Sequence, residues 1–237
     1  MNKPMILKDI SYSFGNKKVL ENLNLNIAKG SFHSLVGVTG AGKSLTLKLI
    51  ASLVPLVSGE ITGLPLNISY AFQQSPLIPW LNVKENLKIC TTNYQDLSEY
   101  LKYFHLEELS SSYPAELSGG MIQKINIIRC FLGKPDLILM DEPFVHIDSI
   151  QREGLHNFLI ELWNKFHPTI VFVTHDIDEA IFLSQKISLY SKKDKCIVET
   201  FNIAENNVSN LLELKKSPQY HIYYKKIYDH LKQDLAL

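Results

Sequence analysis

Gly37-Val38-Thr39-Gly40-Ala41-Gly42-Lys43-Ser44 decides how this chain is read. The stretch fits G-x-x-x-x-G-K-[ST], a loop that cradles phosphates. It follows a strand-like run, Phe32 to Val36, and opens an apolar helical pattern from Lys43 to Leu53, which is the context such a loop needs. Three glycines let the backbone turn tightly, so that its N–H groups form a concave nest for anionic oxygens. The helix N-terminus adds partial positive charge at the same place. Lys43 can then reach β- and γ-phosphates, and the Ser44 hydroxyl can ligate Mg²⁺.

About a hundred residues downstream, Leu137-Ile138-Leu139-Met140-Asp141-Glu142 reads as an apolar strand that ends on two carboxylates. Ligand sites of open α/β sheets lie at such strand ends. Phosphoryl transfer needs a carboxylate that holds Mg²⁺, a role that suits Asp141. The next carboxylate can polarise the attacking water, which makes Glu142 the candidate general base.

Between and around these motifs the chain alternates strands and helices. Ile6, Ile10, Leu23, Leu25 and Ile27 are spaced as strands on either side of a Phe14-Gly15-Asn16 turn. Pro55 and Ser58-Gly59 read as the end of the first helix, Gly63 to Pro65 as another loop, and Asn67 to Phe72 as a short strand closing at Gln73-Gln74. Two prolines and Trp80 then introduce helical stretches near 83–90 and 96–109, an insertion between core strands. From 118 the order is helix 119–133, strand 137–140, helix 149–166, strand 169–173, helix 177–184 and strand 187–190. Such alternation implies a mainly parallel sheet covered on both faces. From about 208 the tail is helical, with Tyr220, Tyr223, Tyr224, Ile227, Tyr228 and Leu231 on one face, a stripe read as packing.

The 237 residues suffice for one substantial core. Lys plus Arg and Asp plus Glu number 24 each, so no global field favours nucleic acid, and no nucleic-acid partner is expected. Cys90, Cys130 and Cys196 are far apart and form no metal or redox pair, which reads as small buried hydrophobes in a reducing compartment. The first residues lack the apolar core of a signal peptide, and no stretch approaches the ~20 apolar residues of a membrane helix. The chain is expected to be soluble and to meet a membrane only through a partner.

Leu117-Ser118-Gly119-Gly120-Met121, placed between the phosphate loop and the acidic strand, resembles the signature of the ATP-binding subunits of ABC transporters. Its physical sense is a Ser-capped helix whose N-terminal N–H groups stay open to an anion. The resemblance implies a P-loop NTPase (RecA-like) α/β core with an antiparallel β subdomain and an inserted helical subdomain. It implies one domain over 1–237, with a core at about 1–75 and 124–205, the insertion at about 76–123 and a tail at about 206–237. It implies ATP and Mg²⁺ as cofactors, with Gly37, Thr39, Gly40, Ala41, Gly42, Lys43, Ser44 and Leu45 along the phosphates. Phe14 would stack on adenine, and Ser44, Asp141 and Gln73 would hold the metal. Gln74 is the alternative to Gln73. Ser118, Gly119 and Gly120 would reach across a homodimer to the γ-phosphate, and Asp148 would cross the dimer interface beside the nucleotide. Glu142, Lys43 and His175, the last following the strand that ends at Thr174, would act in catalysis.

Pro79-Trp80, Asn86, Glu142-Pro143-Phe144 and Thr174-His175-Asp176 with Asp178-Glu179-Ala180 look most like the importer branch that takes up nitrate, sulfonates and taurine. That likeness implies permease subunits, an extracytoplasmic solute-binding protein and a peripheral place on the cytoplasmic face of the membrane. An exporter ATPase, a non-transport ABC ATPase and a P-loop kinase are the rival classes. The chain departs from the family at Leu45, where a threonine is usual and one hydroxyl contact worth on the order of 1 kcal/mol is lost. It departs again at Val145-His146-Ile147, and at Ile122, Asn126 and Ile128.

Overall fold

The computed structural model describes residues 3–72, 77–91, 94–145, 147–203 and 211–235. Strand β1 (Met5–Phe14) and strand β2 (Lys17–Ile27) meet antiparallel across the Gly15-Asn16 turn. Strand β3 (Phe32–Val36) runs into helix α1 (Lys43–Ile50) through the phosphate-loop sequence. Helix α1 stops three residues earlier than expected, at a point where Ser52 already takes the left-handed backbone (φ 56°). Ser58–Thr62, where the sequence reading placed a helix end at Ser58-Gly59 and assigned no strand, is strand β4, which pairs antiparallel with β1 to complete a three-stranded sheet ordered β2-β1-β4. Its mostly exposed residues carry no apolar alternation, so periodicity could not announce it. Gly59 makes the pairing possible, because a Cβ there would lie 2.5 Å from the Lys8 carbonyl oxygen.

The main sheet contains β5 (Ile68–Ala71), β6 (Leu137–Asp141), β7 (Thr169–Thr174), β3, β8 (Lys186–Ser191) and β9 (Cys196–Asn202), in that order. All neighbours are parallel except β8 and β9, and β9 is a second strand that the sequence reading did not foresee. Helices α2 (Val83–Lys88), α3 (Tyr94–Tyr103), α4 (Gly119–Leu132), α5 (Ser149–Phe166) and α6 (Ile177–Leu183) complete the core, with α7 (Leu211–Leu214) and α8 (Pro218–Leu235) at the end. Helix α3 ends well before the expected 109, with left-handed His105 (φ 53°) just beyond it. Helix α4 runs unbroken through 123/124, where the insertion was expected to rejoin the core.

The central strands β3, β6 and β7 are buried along their whole length because alternate side chains serve two cores. Phe32, Ile138, Met140, Ile170 and Phe172 join the core that contains residues of α2 to α6. Leu35, Leu137, Leu139, Val171 and Val173 join the core shared with α1, β1 and β2. Parallel register then aligns the strand ends, since Val36 pairs with Thr174 and Asp141 with Val173. Gly37, Glu142 and His175 therefore leave the sheet at the C-terminal ends of β3, β6 and β7.

The tail bears out the packing reading in part. Tyr220 and Ile227 are buried and Tyr223, Tyr224 and Leu231 pack against the cores, whereas Tyr228 is exposed. Near the end of α8, buried Asp234 accepts hydrogen bonds from Ser191 Oγ (3.2 Å) and the Lys192 amide (2.5 Å). Of the three free cysteines only Cys130 is fully buried, which pushes its thiol up to about 12, while Cys90 and Cys196 are half-buried. No helix among the described residues is long and apolar enough to cross a membrane.

Candidate functional site

The phosphate loop owes its shape to contacts that only glycine permits. Gly40 (φ 84°) and Gly42 (φ 100°) both take left-handed backbone, and a Cβ on Gly42 would lie 2.5 Å from Leu20 Cδ2. Inside this loop Lys43 is buried, and its ammonium donates to the carbonyls of Gly37 (2.6 Å) and Val38 (3.0 Å). Burial lowers the Lys43 pKa from its ordinary value, while the nearby Glu142 and Asp141 carboxylates act in the opposite direction.

Ser44 Oγ donates to Asp141 Oδ1 at 2.7 Å, joining the first turn of α1 to the end of β6. The Tyr70 hydroxyl, on neighbouring β5, donates to Asp141 Oδ2 at 3.4 Å. Burial raises the Asp141 pKa, the Ser44 hydrogen bond lowers it, and the Glu142 charge raises it again. A hydroxyl and a carboxylate on one spot form an all-oxygen donor pair, which suits a hard divalent cation such as Mg²⁺. Glu142 follows in left-handed backbone (φ 48°), an uncommon state for a non-glycine residue and one found where a site holds a side chain in place. Its amide donates to the Val173 carbonyl at 3.0 Å, and its Oε2 lies 3.2 Å from Nδ1 of His175. The structure thus brings Lys43, Ser44, Asp141, Glu142 and His175 together at the C-terminal ends of the inner strands β3, β6 and β7.

Behind His175 stands a cluster that the sequence reading did not assign. Thr174 Oγ1 donates to buried Glu179 Oε2 (2.7 Å), and Asp176 caps α6 by accepting from the amides of Asp178 (2.9 Å) and Glu179 (3.2 Å). Arg152 of α5 reaches Asp176 Oδ2 at 3.2 Å and the Ile147 carbonyl at 2.8 Å. Glu179 had a sequence cue in the Asp178-Glu179-Ala180 run, whereas Arg152 and Tyr70 had none.

Several of the other expected site residues lie on exposed ground, whereas Gly37, Ala41, Gly42 and Leu45 are buried. Phe14, at the end of β1, is 58% exposed and meets Tyr12 edge to face at 5.1 Å. Ser118 caps α4, accepting from the Met121 amide at 3.3 Å, and Asp148 caps α5, accepting from the Gln151 amide at 3.0 Å. Ser118, Gly119 and Asp148 are exposed, as are Thr39 and Gly40 in the phosphate loop. The two capped helix starts are neighbours, because a Cβ on Gly120 would meet Gln151 Oε1 at 2.5 Å. Ala41 and Leu45 turn their side chains into the second core, which leaves only their backbone for a phosphate. Thr46, one residue on, donates back to the Gly42 carbonyl (3.1 Å) and accepts from the buried Tyr190 hydroxyl (2.8 Å). Gln73, its alternative Gln74, and His146 lie outside the described residues.

The sequence model described as ABC transporter matches residues 20–145. The aliphatic sulfonates import ATP-binding protein of Bacillus thuringiensis subsp. konkukian is 38% identical over 216 residues, 86% of this chain and 85% of that protein. The nitrate import ATP-binding protein of Synechocystis sp. is 33% identical over 233 residues, covering 90% and 88%. A solved ATP-binding cassette, dimeric and in a post-hydrolysis state with ADP and Pi, superposes with a TM-score of 0.69 at 29% identity, covering 85% of this chain and all of that one. Sequence and fold agree, and the chain belongs to the ABC transporter family of ATP-binding cassettes.

Proposed function

We propose that this cassette hydrolyses ATP to drive import of a small oxyanion-bearing solute, of the sulfonate or nitrate kind that its relatives are named for. The observation that carries the ATPase half is the 2.7 Å bond between Ser44 and Asp141, 97 residues apart, with Glu142 next to it at the mouth of a glycine-shaped phosphate loop. The amides of Gly40 to Ser44 and of Leu45 bind the β- and γ-phosphates, and Phe14 supports the adenine. Ser44 and Asp141, with Gln73, hold a Mg²⁺ ion, which when bound neutralises charge on the phosphate oxygens.

Glu142 accepts a proton from water as the water oxygen attacks the γ-phosphorus in line. The bond from that phosphorus to the β–γ bridging oxygen breaks, and ADP and phosphate leave. Lys43 and His175 stabilise negative charge on the γ-phosphoryl oxygens. Ser118 to Gly120 and Asp148 serve the site of a second copy, so that two copies close around two nucleotides. Permease subunits take up that closing motion through the segment from Gln73 to Trp80, and an extracytoplasmic solute-binding protein delivers the solute. The cassette is then a peripheral subunit on the cytoplasmic face, with its core and helical insertion divided near 76 and 123.

Glu142→Gln tests the chemistry. The variant should retain bound ATP and lose turnover by a factor on the order of 10²–10⁴. Hydrolysis at the unmodified rate would remove Glu142 from its role. Membrane affinity purification, followed by identification of the integral-membrane subunit, tests import against export.

A further inference from the structure

Arg152 lies between two loops that each carry a residue of the proposed mechanism. One end of its guanidinium donates to the carbonyl of Ile147, the residue before Asp148, at 2.8 Å. The other end lies 3.2 Å from Oδ2 of Asp176, the residue after His175. Nε faces Glu179 Oε1 at 3.8 Å, and Glu179, only 5% exposed, accepts from the hydroxyl of Thr174, the residue before His175. One chain neighbour of His175, Asp176, therefore pairs with Arg152 directly, and the other, Thr174, is held by Glu179, which Arg152 faces. The arrangement is closed further by the Asp176 amide, which donates to Thr174 Oγ1 at 3.0 Å.

The cluster is charged and incompletely satisfied. Arg152 Nε and both ring nitrogens of buried His156 make no hydrogen bond, although His156 Nε2 lies 3.4 Å from Glu179 Oε1. Two carboxylates, Asp176 and Glu179, share Arg152 as their arginine or lysine counter-ion among the ion pairs of the described residues. A planar fork can hold a carbonyl and a carboxylate on different loops at fixed spacing, and the single ammonium of a lysine cannot.

We infer that Arg152 is a positioning residue that couples the loop of Asp148 to the loop of His175. The inference rests on the proposed roles of those two residues. Contact of Asp148 with a second copy shifts the Ile147 carbonyl, the guanidinium follows it, and the Asp176 side of the His175 loop moves with the guanidinium. Docking of the shared face is thereby reported to the side chain assigned to the γ-phosphate.

Two measurements on the full chain test this. The first compares kcat with ATP affinity in Arg152→Lys, and in Asp176→Asn, which keeps the α6 cap but weakens the ion pair. Arg152→Lys should lower kcat about 10-fold and leave the ATP Kd within about twofold, and Asp176→Asn should lower kcat less, as fits a coupling residue. The second follows the His175 ring resonance by NMR, assigned with His175→Gln. Asp148→Ala should displace that resonance in the otherwise unmodified chain, and the displacement should fall below half in the Arg152→Lys background. Full kcat in either variant, no displacement by Asp148→Ala, or a displacement that survives Arg152→Lys would overturn the coupling. The resonance needs no turnover, so it still decides the matter if Glu142→Gln hydrolyses normally and the catalytic reading itself fails.

Discussion

Ser44, Asp141 and Lys43 sit at the end of the sheet with their polar atoms bonded inside the chain, whereas Ser118, Gly119 and Asp148 stand exposed at two neighbouring helix starts. The first group is shaped by parallel register: β3, β6 and β7 end level, so residues distant in sequence meet without a partner's help. Among the described residues the Ser118 and Asp148 side chains bond to their own first turns, at helix starts whose remaining first N–H groups have no partner within the helix. On the proposed reading one chain prearranges the phosphate and metal pocket, and the exposed group meets its phosphate on a second copy. The contrast yields separable consequences for binding and turnover.

The largest effect belongs to the buried half. Lys43→Ala removes the one cation held within the phosphate loop, and turnover should fall by a factor on the order of 10³, with a clear loss of ATP affinity in the single chain. Hydrolysis assays and nucleotide titration of the isolated chain check both. If ATP bound the variant as tightly as before, the buried half would not be the primary phosphate site.

Acid should loosen the same half through His33, on the strand that feeds the loop. His33 is fully buried, its Nε2 lies 2.8 Å from Ser188 Oγ, and burial with the Lys186 charge lowers its pKa from the ordinary 6.5 to about 4. Between those values the unfolded chain takes up a proton that the folded chain refuses. The stability contribution is therefore complete above pH 6.5 and is lost as the pH falls toward 4, by on the order of 3 kcal/mol. Urea unfolding at pH 7.5 and 4.5 should show that loss, and His33→Leu should flatten it, because Ser188 keeps Thr200 as a partner at 3.0 Å. An unchanged pH slope in His33→Leu would acquit this residue.

The same division decides what the sequence could show. The phosphate loop, the acidic strand and the capped signature helix were legible because each is a local pattern whose chemistry needs fixed spacing. The three-stranded sheet was only partly legible: β1 and β2 alternate, but β4 is a short exposed ribbon held by pairing with β1 and by the space Gly59 leaves. Strand β9 was missed for a similar reason, since its side chains are mostly exposed or half-buried and its place comes from pairing with β8. Leu45 looked like a lost hydroxyl in the sequence, and in the structure its side chain belongs to the second core. Arg152 gave no signal because its meaning lies in one local contact, to Ile147, and two long-range ones, to Asp176 and Glu179, from one turn into an otherwise ordinary helix.

The sharpest attempt to break the comparison is aimed at the exposed half. Ser118→Glu puts a negative charge where the proposal places the γ-phosphate of a second copy, and glutamate is a poorer helix cap than serine. The cap contributes about 1 kcal/mol, so the fold should survive with a modest loss of stability. Among the described residues Ser118 Oγ bonds to its own first turn, so ATP titration of the isolated variant should match the unmodified chain within about twofold. Like-charge contact across an interface costs several kcal/mol, so ATP-driven pairing should be lost and turnover should fall on the order of 10²-fold. Analytical ultracentrifugation with ATP in the Glu142→Gln background isolates pairing from hydrolysis. Two outcomes would merge the halves that the structure keeps apart. One is an isolated Ser118→Glu chain that loses ATP affinity as Lys43→Ala does, which would put Ser118 in the pocket of its own chain. The other is undiminished pairing and turnover, which would leave the exposed helix start without a phosphate to meet.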